Sequence, residues 1–103
     1  MDNHYNHFKK IDAHSHIGKF GSPFNIDFDL QRLTEQMEAY NIEKTILCPA
    51  GCHLNEELKT AYQAAPDKII PLCWVNANEG QEAYDMLEHY LRDENFAGVK
   101  MQP

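Results

Sequence analysis

The sequence predicts an α/β protein in which parallel strands alternate with helices in the order βαβαβαβ. Three observations support this prediction. Short apolar runs alternate with longer amphipathic stretches, which is typical of repeated βαβ units. The third run, residues 69–75, is apolar almost throughout, as expected for a strand covered on both faces. The first and second runs are followed by turn-forming residues, Gly18 and Pro49-Ala50-Gly51.

Four strands are predicted, over residues 10–17, 45–48 and 69–75 and from about residue 98. Their starts, near residues 11, 45, 70 and 98, are on average about 29 residues apart. Eight such units make roughly 230 residues, close to the ~250 of a (β/α)8 barrel. The spacing leaves two architectures open, namely half of such a barrel or a small open four-stranded α/β sheet.

Three helices are predicted between the strands, over about residues 29–40, 55–65 and 80–92. We expect Asp27 or Asp29 to cap the first helix and Asn41 to end it in a left-handed conformation. Pro66 ends the second helix. Residues 18–27 are predicted as a long loop. The apolar residues expected to face the sheet are Leu30, Leu33, Met37 and Tyr40 in the first helix, Leu58, Ala61, Tyr62 and Ala65 in the second, and Ala83, Leu87, Tyr90 and Leu91 in the third.

Composition indicates a single domain of residues 10–103 that follows a polar N-terminal tail of residues 1–9. Sixteen acidic and nine basic residues among 103 give a net charge of −7. We therefore expect no nucleic-acid partner and no membrane partner, since both require clustered Lys and Arg or a long apolar span. The polar N-terminus predicts no export signal, so we expect a cytoplasmic protein with reduced cysteines.

The most specific chemical feature is a His-x-His pair on the first strand. Residues two apart on a strand share a face, so Asp12, His14 and His16 are expected to point the same way. Two imidazoles at the carboxyl end of a parallel strand suit one shared divalent cation, and active sites of parallel α/β folds lie at that end. The pattern predicts a metal site at His14 and His16; the plain alternative is a pair of solvated or hydrogen-bonded strand residues.

Further candidates lie on the later strands and their loops. Lys100 is expected on the inner face of the last strand, as a metal ligand or substrate contact. Cys48, Cys52 and His53 form a Cys-x3-Cys-His pattern that lacks a second ligand pair for structural zinc, so Cys48 is more simply a core residue. The residues predicted to contact a substrate are Phe20, His53, Trp74 and Gln102.

Taken together, these segments resemble the N-terminal half of the amidohydrolase superfamily, in the amidohydrolase 2 (amidohydrolase-related) branch. Residues 11–18 are similar to that family's strand-one metal motif. Residues 37–47 resemble its passage from helix one to strand two, and residues 66–68 its entry to strand three. Residues 98–103 resemble a strand-four motif that often carries His where Gln102 stands.

The resemblance implies the N-terminal half of a (β/α)8 TIM barrel, with four strands and three helices, that binds one or two divalent metals, most simply zinc. It implies a metal-dependent hydrolase of amide-like or ester-like bonds, while some members of the branch decarboxylate instead. By the same resemblance His14 and His16 are ligands, and Lys100 occupies the strand that carries a modified lysine in some branches.

The family's further ligands and its general-base Asp come from strands five, six and eight. We therefore expect either a homo-oligomer or a missing C-terminal half to accompany the four strands, and a small-molecule substrate. The alternative function is a non-catalytic α/β module that binds a metabolite or another chain.

Overall fold

The computed structural model describes residues 7–20, 26–51 and 54–101. Within them lie six strands and three α-helices. In chain order these are β1 (Lys10–Ser15), β2 (Gly18–Phe20), β3 (Ile26–Phe28), α1 (Leu30–Ala39), β4 (Ile42–Leu47), α2 (Asn55–Ala64), β5 (Ile69–Trp74), α3 (Gln81–Glu88) and β6 (Gly98–Lys100).

Strands β1, β4, β5 and β6 form one sheet in that order, and each neighbouring pair is parallel. A helix follows each of the first three of these strands, which confirms the predicted βαβαβαβ fold class with four parallel strands and three helices. Consecutive strands are neighbours in space, as short crossover connections require. The carboxyl ends of the strands therefore meet at one edge of the sheet, where we expected the functional residues.

The two faces of the sheet differ in what covers them. Along β5, Ile69, Pro71 and Cys73 are buried, whereas the alternating side chains Ile70, Leu72 and Trp74 are half-buried. The buried set belongs to a core that the helices complete, with Leu33 and Met37 of α1, Leu58 and Ala61 of α2, and Ala83 of α3. The opposite face of the sheet, here called the inner face, carries Trp74 and its register partner Lys100.

Helix α1 begins and ends as the sequence predicts. Asp29 is its N-cap, and one carboxylate oxygen of Asp29 accepts a hydrogen bond of 2.9 Å from the backbone N–H of Arg32. Asn41 has a φ of 56°, the left-handed conformation expected just beyond the helix. Strand β4 begins at once, at Ile42, so it is three residues longer at its start than predicted.

Residues 18–27 were predicted as a loop, and that prediction is wrong for part of the segment. Strands β2 and β3 pair in antiparallel fashion, with Gly18 opposite Phe28 and Phe20 opposite Ile26. Each strand has only three residues, too few for a periodic pattern to show in the sequence.

The third helix also departs from the prediction. α3 ends at Glu88 and continues as a π-helical turn over His89–Asp93, in which the N–H of Glu94 donates to the carbonyl of His89. A π turn inserts one extra residue and rotates the positions after it about the helix axis. As a result Tyr90 is buried as predicted, whereas Leu91, predicted to face the sheet, is 38% exposed.

Candidate metal centre

The two histidines of the His-x-His pair meet at the carboxyl end of β1. His14 lies in that strand and His16 directly follows its last residue, Ser15. Their Nε2 atoms are 2.8 Å apart, and the rings stand edge to face with centroids separated by 4.7 Å. The structure therefore brings the two predicted nitrogen donors to one point.

A hydrogen bond from the neighbouring strand holds the His16 ring. Its Nδ1 lies 2.6 Å from the carbonyl oxygen of Cys48, the residue after β4, so Nδ1–H donates to that carbonyl. With Nδ1 as the donor, the Nε2 of a neutral His16 ring carries the lone pair, which accepts the 2.8 Å hydrogen bond from His14 Nε2–H and is also the atom that would bind a metal. Metal-binding histidines commonly fix their other nitrogen in this way.

The backbone around the pair is fixed on the opposite side of the strand. The N–H of Cys48 donates to the carbonyl of Ser15 over 2.8 Å, and the hydroxyls of Ser15 and Thr45 are 2.6 Å apart. Thr45 is fully buried, so this contact lies within the helix-covered layer. Because Ser15 is directed into that layer, its neighbours His14 and His16 are directed to the inner face.

Asp12 was predicted to share a face with the two histidines, but β1 does not alternate regularly between Asp12 and Ser15. Asp12 pairs with Thr45 and Ser15 with Leu47, so three steps of β1 run against two steps of β4. This bulge interrupts the alternation between Asp12 and His14. One carboxylate oxygen of Asp12 instead accepts a hydrogen bond of 3.0 Å from the backbone N–H of His14.

The histidine pair suits part of a metal site. Two nitrogens bound to one tetrahedral ion at Zn–N distances of ~2.0–2.1 Å lie about 3.3 Å apart, so the Nε2 atoms, now 2.8 Å apart within hydrogen-bond distance, would separate by about half an ångström to share an ion. A catalytic zinc takes three protein ligands and a water. In residues 7–20, 26–51 and 54–101 no group of three or more His, Cys, Asp or Glu side chains is placed to hold a metal ion. A metal bound at this pair would therefore need further donors from outside the described residues.

The other predicted site residues fall into two groups. Trp74 and Lys100 lie on the inner face, opposite each other at the carboxyl ends of β5 and β6, and both are half-buried. Phe20 lies in β2, but its side chain is outside the described part of the chain. Cys52, His53 and Gln102 also lie outside the described residues.

The two described cysteines are free and buried. Burial raises the pKa of the Cys48 thiol, against the lowering effect of the Lys100 charge and with a smaller raising effect from Asp12. Burial likewise raises the pKa of Cys73. Both thiols therefore stay protonated near neutral pH, which agrees with their predicted roles as core residues.

Asn55 is a residue of this region that sequence reasoning missed. It is only 1% exposed, and its amide bonds to both backbone groups of Trp74: Oδ1 accepts from the N–H over 2.8 Å, and Nδ2 donates to the carbonyl over 2.9 Å. In the sequence Asn55 looks like an ordinary helix cap, whereas in the structure Leu54 occupies the cap position. The indole Nε1 of Trp74 is buried and has no hydrogen-bond partner within the described residues.

Comparison with solved structures identifies the fold. A 5-carboxyvanillate decarboxylase from Novosphingobium aromaticivorans, complexed with manganese and 4-hydroxy-3-methoxy-5-nitrobenzoic acid, has a TM-score of 0.80 and 16% identity over 99% of this chain and 45% of its own. A 2,6-dihydroxybenzoate decarboxylase complexed with 2,6-dihydroxybenzoate has a TM-score of 0.70 and 17% identity over 88% of this chain and 38% of its own. A 2,6-dihydroxybenzoate decarboxylase from Rhizobium has a TM-score of 0.65 and 18% identity over 88% and 36%.

The chain has the fold of half a (β/α)8 barrel. The chain spans less than half of the length of these decarboxylases. No family model matches the sequence, and no curated protein matches it. None of the helices in the described ranges is long and apolar enough to cross a membrane.

Proposed function

We propose that this chain forms the first part of a metal-dependent enzyme of amidohydrolase type that acts on small aromatic carboxylic acids. The single observation that carries this proposal is the 2.8 Å approach of His14 Nε2 to His16 Nε2 at the carboxyl edge of the sheet. Active sites of (β/α)8 barrels lie at that edge. The similar folds of manganese-bound and benzoate-bound decarboxylases support the substrate class.

Decarboxylation is the reaction that we favour over hydrolysis. The sequence alone pointed first to hydrolysis, with decarboxylation as a variant within the same family. The similar solved structures are decarboxylases, and the 5-carboxyvanillate decarboxylase among them is complexed with manganese. A divalent cation supplies Lewis acidity, which polarises a bound oxygen and stabilises the negative charge that develops on it.

The residues of this chain hold the two imidazoles in place and determine which ring nitrogen of His16 carries the proton. His16 keeps its Nε2 lone pair available because Nδ1 donates to the Cys48 carbonyl. His14 faces the same point from two residues earlier in the chain. The predicted zinc remains a proposal beside manganese, since imidazole binds several first-row divalent metals. The remaining ligands would come from a C-terminal half or from another chain.

Metal titration tests the assignment. We expect calorimetry with Mn²⁺ and with Zn²⁺ to show binding that weakens about tenfold or more in the double variant His14→Ala/His16→Ala, since each lost ligand removes a coordinate bond. The matched control is His89→Ala, because His89 is exposed and lies on the π turn away from the sheet edge. A second control, His4→Ala/His7→Ala, removes fortuitous binding by the N-terminal histidines. Unchanged affinity in the His14/His16 variant would contradict the proposed site.

Exposed apolar residues on the two outermost strands of the sheet favour a second candidate function, that of an interaction module. β1 and β6 are the two edge strands, and Ile11, Val99 and Met101 on or beside them are 60%, 37% and 56% exposed. Unpaired parallel edges with exposed apolar side chains promote association. Light scattering of the purified chain separates the two cases: stable association without metal affinity favours the module, and metal affinity lost with the histidines favours the enzyme.

A further inference from the structure

We propose that Lys100 and Trp74 form a carboxylate-recognition site on the inner face of the sheet, in which the Lys100 ammonium pairs with the carboxylate of an aromatic acid and the Trp74 indole packs against its ring. This inference rests on the proposed function, since it names the residues that would hold the substrate of the same site.

Trp74 and Lys100 are register partners on adjacent parallel strands, β5 and β6, so their side chains project from the same face of the sheet. Neighbouring strands are about 4.8 Å apart, which places the indole and the lysine stem side by side. Trp74 is the last residue of β5 and Lys100 is the last residue of β6, so both lie at the carboxyl ends of the strands, as the histidine pair does. Lys100 and the histidine pair thus lie at the carboxyl ends of the two outermost strands of the sheet, β6 and β1.

Lys100 is half-buried, and none of the described residues makes a hydrogen bond or an ion pair with its ammonium group. A half-buried lysine without a carboxylate partner is uncommon, since burying its charge costs free energy. An anionic ligand would supply the partner that the described part of the chain does not.

The indole Nε1–H of Trp74 is buried and has no acceptor in the described part of the chain. Buried hydrogen-bond donors normally have an acceptor. The backbone N–H of Trp74 donates to Asn55 Oδ1 and its carbonyl accepts from Asn55 Nδ2, and Asn55 is itself 1% exposed. Asn55 therefore fixes the backbone from which the indole projects. A flat ring with an unused donor, held beside a cation, suits an aromatic ring that carries an acceptor group.

Trp74 is the only tryptophan of the chain, so its fluorescence reports on this site alone. The experiment titrates the purified 103-residue chain with benzoate in the presence of a chelator, so that no metal contributes to binding. We expect a saturable change in Trp74 emission, and binding that is roughly tenfold weaker or more in Lys100→Met, since a charge-assisted contact is lost. Lys68→Met is the matched control, because Lys68 lies outside the inner face and pairs weakly with Glu38 at 3.8 Å.

Neutral and non-aromatic probes separate the parts of the proposal without any substitution. Benzamide has the same ring without the charge and is expected to bind at least about tenfold more weakly than benzoate. Acetate has the charge without the ring and is expected to bind more weakly as well. The proposal is overturned if benzoate gives no saturable change, if Lys100→Met binds it as the wild type does, or if benzamide equals benzoate. Because a chelator is present, these outcomes are independent of whether His14 and His16 bind a metal.

Discussion

Replacing Asn55 with Ala is expected to destabilise the protein by about 3–5 kcal/mol. The side chain of Asn55 makes two hydrogen bonds with the backbone of Trp74, at 2.8 and 2.9 Å, and a longer contact of 3.4 Å with Met86 Sδ. Each hydrogen bond contributes about 1 kcal/mol net, and a buried group left unpaired costs ~1–3 kcal/mol more. Truncation would leave the N–H and the carbonyl of Trp74 without these partners at the end of β5. Against a total of ~5–15 kcal/mol for a typical domain, the loss is large.

Urea unfolding followed by Trp74 fluorescence measures this effect directly. We expect the midpoint to fall while the dependence of the unfolding free energy on urea stays constant. Gln63→Ala is the control, since Gln63 is an exposed residue of the same helix and its loss should change stability by less than about 0.5 kcal/mol. If Asn55→Ala is no less stable than this control, the bonds to the Trp74 backbone do not contribute to stability as argued.

Three further predictions concern the helix layer. Leu58→Ala should cost about 2–5 kcal/mol, because Leu58 is fully buried in the core, and thermal unfolding beside the exposed-site control Tyr84→Ala checks it. Asp29→Ala should cost about 1 kcal/mol through the lost cap bond to the Arg32 N–H, and a loss of α-helical circular dichroism signal at moderate urea would reveal it. Burial and the 2.6 Å hydrogen bond from the Tyr90 hydroxyl to Glu56 raise the pKa of Tyr90, so the folded state keeps its proton while an unfolded tyrosine ionises at about pH 10. Stability should therefore fall as the pH rises above about 10, and Tyr90→Phe should flatten that fall; an unchanged slope would refute the assignment.

The order of strands and helices was predictable because apolar periodicity reflects burial. In α1 the periodic residues Leu33 and Met37 are both buried, and in β5 the apolar run reaches from Ile69 to Trp74. The start of β4 was predicted three residues too late, since its first apolar residue, Ile42, is followed by two charged residues, Glu43 and Lys44. Short-range patterns thus indicated which elements exist better than where they begin.

Features that depend on contacts between distant residues were beyond such patterns. The bond between Asn55 and Trp74 joins residues 19 positions apart, and no local pattern marks an asparagine that serves a strand rather than a helix end. The π turn at His89–Asp93 replaces a regular α-helical turn that the sequence alone would continue, and it changes the exposure of Leu91.

The histidine pair shows how a local pattern and a distant contact combine. Alternation along a strand placed His14 and His16 on one face, and their Nε2 atoms do meet. The same alternation failed for Asp12, because the bulge after it changes the register against β4. That bulge brings Ser15 opposite Leu47, and the Ser15 carbonyl then accepts from the Cys48 N–H while the Cys48 carbonyl accepts from His16. The irregularity that invalidates the prediction for Asp12 is therefore part of the pairing that orients His16, and a variant that restored regular pairing there would be expected to lose the fixed ring.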